Sequence, residues 1–115
     1  MATELQSLVL CDDIAIDGQR YVLNGPGTRF GMDSVSVFAE LVSVKAGSTI
    51  WTSLIGPDGE ELDLTAAELV PQNMSYVQYA TVVGTDGLGR GPYRIQVFVD
   101  NILKGERDVL LGVEP

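Results

Sequence analysis

Apolar and polar positions alternate along most of this chain, and short acid–glycine reversals interrupt the alternation. In YRIQVFVD, Tyr93, Ile95, Val97 and Val99 fall on one face and Arg94, Gln96, Phe98 and Asp100 on the other. That period of two is the mark of a half-buried strand. In SVSVFAELVSV, Val35, Val37, Ala39 and Leu41 share one face. The other face, Ser36, Phe38, Glu40 and Val42, is mixed, which predicts a strand covered on both sides. Runs of this kind predict strands at 5–16, 19–23, 35–44, 49–55, 60–64, 76–83, 93–99 and 108–113. Asp17-Gly18, Asp58-Gly59 and Asp86-Gly87 supply residues that turn a chain cheaply, and Asp100-Asn101 is a weaker version of the same signal. Eight short strands at this spacing predict an all-β fold, an antiparallel sandwich or barrel.

One segment departs from the pattern. In TAAEL, Thr65 and Glu68 stand three residues apart and Pro71 follows, which predicts a single helical turn near 65–70. No long amphipathic helix, charge block or internal repeat is present, and the whole of 1–115 reads as one domain. The glycine-dense GTDGLGRG, 84–91, reads as a loop between strands.

LVLCDDIAIDG poses the sharpest local question. On a regular strand Leu8, Leu10, Asp12, Ile14 and Ile16 would share a face, with Cys11 and Asp13 on the other. Neighbouring carboxylates therefore cannot clasp one ion unless the strand breaks. An ionised Asp12 on an apolar face needs a partner that the sequence does not show. A β-bulge or edge crossing near 11–13, turning both acids to solvent, resolves the conflict.

Charge narrows the partners. Sixteen acids face seven bases, a formal charge of −9, and the bases are scattered from Arg20 to Arg107. Such a chain repels phosphate backbones and anionic lipid, so neither nucleic acid nor membrane is expected as a partner. The apolar runs are far shorter than the roughly 18 residues of a spanning helix. MATELQS carries an acid where a signal peptide carries bases, which points to a cytoplasmic protein. Cys11 is alone and reads as a small apolar filler.

Candidate chemistry is sparse. With no histidine, Ser-His-Asp and Cys-His nucleophile systems and the usual zinc sets are missing, and no enzyme activity is expected. No phosphate loop or dinucleotide fingerprint occurs, and no cofactor is expected. Asp12, Asp13, Asp58, Glu61 and Asp63 are weak candidates for a hard cation, with Glu61 and Asp63 expected on one side of a strand. Trp51, Tyr76 and Tyr79 are weak candidates for an aromatic platform that takes a sugar or a proline-rich peptide. The alternative for all three is that they pack the core.

LVLCDDIAIDGQRYVLNG, SLIGPDGEEL and GPYRIQVFVDNILKGER together resemble a group of small bacterial immunoglobulin-like domains of unknown function. The resemblance spans most of the chain, although Gly91-Pro92 reverses the group's Pro-Gly and Asn101 replaces its Gly. It implies an immunoglobulin-like sandwich of seven to eight strands and no particular activity. The expectation is a non-catalytic interaction or assembly module of a bacterial or phage accessory protein. It would bind another protein, or itself, as a homo-oligomer joined through sheet edges. The alternative is a β-sandwich that binds a small ligand, carbohydrate or cation.

Overall fold

The computed structural model describes residues 3–31, 34–85 and 87–112. Among these residues eleven strands run in order: β1 (Glu4–Cys11), β2 (Asp13–Asp17), β3 (Arg20–Asn24), β4 (Arg29–Phe30), β5 (Val35–Val44), β6 (Thr49–Ile55), β7 (Glu61–Leu64), β8 (Glu68–Leu69), β9 (Met74–Val83), β10 (Gly91–Val99) and β11 (Ile102–Leu111). They form three sheets: β1-β5-β9, then β4-β11-β10-β6-β7 with β8 also on β6, and the β2-β3 hairpin. All pairings are antiparallel except β11 with β4. The fold is all-β and sandwich-like, but it has more strands, and one more sheet, than the seven-to-eight-strand sandwich expected.

Alternation builds the core. Opposed partners in an antiparallel ladder share a face, so the registers bring Leu8, Leu10, Val37, Ala39, Leu41, Tyr79 and Val83 to the inner side of the three-stranded sheet. The larger sheet answers with Ile50, Leu54, Tyr93, Ile95, Val97, Val99 and Val109, and both sets belong to one buried cluster. Each fully buried Val, Leu or Ile contributes about 1.5–3 kcal/mol.

The helical turn expected at 65–70 is absent. Thr65 N–H donates to Thr52 O at 2.9 Å, and Thr52 N–H donates to Thr65 Oγ1 at 3.0 Å. The hydroxyl that would have capped a helix instead extends the ladder onto β6, and Glu68 and Leu69 pair with Ile50 and Thr49. Tertiary pairing overrides the local capping pattern. The final hairpin also differs: β11 begins at Ile102, because Asp100 (φ 52°) and Asn101 (φ 67°) are both left-handed. Two left-handed central residues make the tight turn whose twist matches paired strands. Asp86 and Val113, used in the expected turn and last strand, lie outside the described residues.

The strand expected over 5–16 is broken at Asp12. β1 pairs with β5, whereas β2 leaves that sheet and pairs with β3. Asp12 N–H donates to Asn24 O at 2.9 Å and Gly27 N–H donates to Leu10 O at 3.0 Å, so the bend is held from both sides.

Candidate functional site

The outer face of the three-stranded sheet is where the fold leaves most unfinished. β9 stands at its edge and, among the described residues, is laddered on one side only, to β5. Its ten residues, MSYVQYATVV, contain no charge and no proline, and its register with β5 runs without a bulge. Natural sheets normally blunt an edge with lysine, proline, a bulge or shortness. The opposite edge, β1, is treated in that way: it carries Glu4, a register shift between Leu5 and Ser7, and Arg107 Nε donating to Leu8 O at 3.2 Å. The edges of the larger sheet, β4, β7 and β8, are two to four residues long. Among the described residues β9 is a long edge that carries none of these protections.

The β2-β3 hairpin folds back over this face. Tyr21 lies against Phe38 of β5, ring centroids 5.4 Å apart and tilted by 55°, which explains why Phe38 is buried although its strand partners face outward. The hairpin stops short of the sheet edge. Between it and β9 runs a groove of about 310 Å³, lined by Asp13, Ile14, Ile16, Tyr21, Ala80 and Val82. Ile16 is 72% exposed and Val82 57%, a high cost in wetted apolar surface for a domain with a complete core. A larger hollow of about 390 Å³ between the ends of β5 and β9 is lined by Ser43, Lys45, Asn73 and Ser75 among others, and contains no carboxylate or thiol.

Further along the same face sits a hydrogen-bonded knot. Tyr76 Oη donates to Glu40 Oε2, Ser7 Oγ donates to Glu40 Oε1 at 2.7 Å, and Gln78 Nε2 donates to Tyr76 Oη at 3.1 Å. The Tyr76 hydroxyl, and after it that of Ser7, holds the Glu40 carboxyl below its ordinary value of 4.5. The same bond raises the Tyr76 phenol above 10.0. The bonds favour the Glu40 anion, with one hydroxyl donating to each of its oxygens.

The residues singled out in the sequence are dispersed. Asp12, Asp13, Asp58 and Glu61 are exposed, and Asp63 is half-buried on another sheet from Asp12. A register shift between Leu54 and Ile55 sets Asp63 opposite Leu54 and Glu61 opposite Ile55, so the two acids do not share a side as expected. Among the described residues, no three of His, Cys, Asp and Glu are placed to hold a metal. Tyr79 is buried between the sheets, Tyr76 lies on the outer face of one sheet, and Trp51 on that of the other. Trp51 stacks on Phe98, 4.2 Å between centroids and 5° from parallel, so each ring gives one face to its neighbour. The three aromatics form no common platform. Sequence reasoning missed Ile14, Ile16 and Val82 as surface, because alternation reports which residues share a face and not whether a second layer covers it. Of the candidates, Asp13 lines the groove and Tyr76 lies further along the same face.

No helix among the described residues is long and apolar enough to cross a membrane. No protein-family model matches the chain, and no curated protein matches it. Among solved structures it is similar to the Pseudomonas fluorescens alkylpurine DNA glycosylase AlkC bound to DNA containing an abasic site analog, with a TM-score of 0.62 and 9% identity. The match covers 96% of this chain and 30% of that one. At that identity the likeness is one of fold, and this chain spans under a third of the glycosylase's length.

Proposed function

We propose that this is a non-catalytic, immunoglobulin-like interaction module of a bacterial accessory protein. It docks an extended segment of another protein as an added strand beside β9. The observation that supports this reading is the ten-residue, uncharged and unprotected edge of β9 with an apolar groove beside it. In strand addition the main chain supplies affinity and alternate side-chain pockets supply selectivity. β9 offers a full row of main-chain groups, and the groove offers a pocket next to Val82 for a side chain of the added strand.

The glycosylase is bound to DNA, but we do not extend that partner to this chain. Sixteen acids against seven bases oppose a phosphate backbone. Arg94 is held between Glu106 at 3.3 Å and Asp108 at 3.0 Å, so it is not free to meet one.

Peptides selected from a random library against the whole chain test the proposal. Binders are expected to be extended, to shift the amide resonances of β9, and to lose about tenfold or more in affinity in Val82→Lys, a charge placed on the edge. Leu103→Lys, on the other sheet, should leave binding intact. Binders that perturb only resonances away from β9 reject the reading.

A further inference from the structure

We infer that the segment added beside β9 is cationic, an extended stretch in which lysine or arginine alternates with apolar residues. The inference rests on the strand-addition reading and adds the partner's chemistry to it. Side chains of an added strand alternate between two sides. On the inner side they meet the seam between the sheets, where Tyr79 and Thr65 approach each other. On the outer side they meet the groove and the hairpin above it.

Near the hairpin the outer surroundings are acidic, and Lys45 stands at the far end of β9, away from the groove. Asp13 lines the groove, Asp17 is exposed on the same hairpin and Asp12 at its root, and Arg20 is the one base on the hairpin. Glu40, further along the same face, accepts its hydrogen bonds from neutral hydroxyls and not from a cation. β9 itself supplies no cation. The chain as a whole carries −9, so its field draws a basic segment in and repels an acidic one. A second copy is the poorer occupant on the same ground: it brings another −9, and its own β9 has no positive charge to offer.

The test uses three peptides as long as β9, with valine and threonine alternating with lysine, glutamine or glutamate. Binding to the full chain is measured by fluorescence anisotropy from about 50 to about 300 mM salt, with β9 amide shifts as the site readout. The lysine peptide should bind about tenfold or more tighter than the glutamine peptide, and the glutamate peptide weakest, with the differences shrinking as salt rises. Asp13→Asn combined with Asp17→Asn should reduce the lysine advantage severalfold while circular dichroism is unchanged. Equal affinities with β9 shifts for all three peptides would overturn the cationic partner and leave strand addition standing. An absence of β9 shifts with every peptide would remove strand addition, and the cationic partner with it. A dimer in sedimentation that Val82→Lys dissolves would identify a second copy as the occupant and also overturn the inference.

Discussion

The hydroxyl of Tyr79, on β9, lies 3.0 Å from the hydroxyl of Thr52, on β6, so a hydrogen bond crosses the core from one sheet to the other. Both residues are buried, at 2% and 0% exposure, and the Thr65 hydroxyl completes the group at 3.3 Å from Tyr79 Oη. A buried hydroxyl that loses its partner keeps its desolvation cost. Tyr79→Phe should therefore cost about 1–2 kcal/mol, read as a Tm lower by about 5 °C or more. The same bond fixes how β9 sits against the larger sheet, and hence where its free edge points. Thermal unfolding of Tyr79→Phe and Thr65→Ala, singly and together, should show non-additive losses, because the two hydroxyls share one network.

Glu40 and Tyr76 predict a pH dependence with a definite sign. A carboxylate whose pKa is lower folded than unfolded stabilises the fold above its unfolded value, and that stability is lost as pH falls through the folded one. For Glu40 the loss lies below 4.5. The bond acts in the opposite sense on the phenol: with its pKa raised, Tyr76 contributes below 10.0 and the contribution disappears as pH climbs past its folded value. In a carbon-detected titration Glu40 should ionise at lower pH in the native chain than in denaturant. Tyr76→Phe should move Glu40 back towards the ordinary range. If Glu40 titrates alike in the native and the denatured chain, the bond does not persist in solution.

Much of the ladder was readable from period two alone. The strands 35–44 and 49–55 have the predicted bounds, and the mixed outer face of β5 does lie under cover, with Tyr21 over Phe38. The failures share one cause, which is that pairing partners are not local. Thr65 has the spacing of a helix cap, yet its hydroxyl is claimed by Thr52 N–H. Glu61 and Asp63 alternate like strand neighbours, yet one extra residue in the ladder parts them. The site was hidden for the same reason. SYVQYATVV reads as an ordinary strand, and only the strand order shows that one of its sides has no strand partner among the described residues.

Cys11 should behave as packing rather than as a reagent. It is fully buried, its thiol lies 3.8 Å from Ser36 O, and burial pushes its pKa above 9.0. The Asp13 backbone works against that rise, while the charges of Asp13 and Asp12 add to it. The thiolate is the reactive form. A chromogenic disulfide should titrate little thiol in the native protein and one equivalent in denaturant. Rapid modification of the native chain would mean that the hairpin opens.

The bend at Asp12 predicts unequal behaviour from two glycines that the sequence presents alike, in the stretch NGPG. Gly25 has φ +67°, and a Cβ there would run into the Asp12 carboxylate. Gly27 has no such φ, and nothing lies within 4 Å of a Cβ built on it. A left-handed non-glycine residue costs about 1–2 kcal/mol before any clash. Gly25→Ala should therefore destabilise by at least about that much and loosen the hairpin over Phe38. Gly27→Ala should be near neutral, or slightly stabilising through the entropy removed from the unfolded chain. Denaturant midpoints for the pair decide it. Equal losses would mean that Asp12 does not sit over Gly25, and the hairpin wall of the groove would then lose the contact that holds its root.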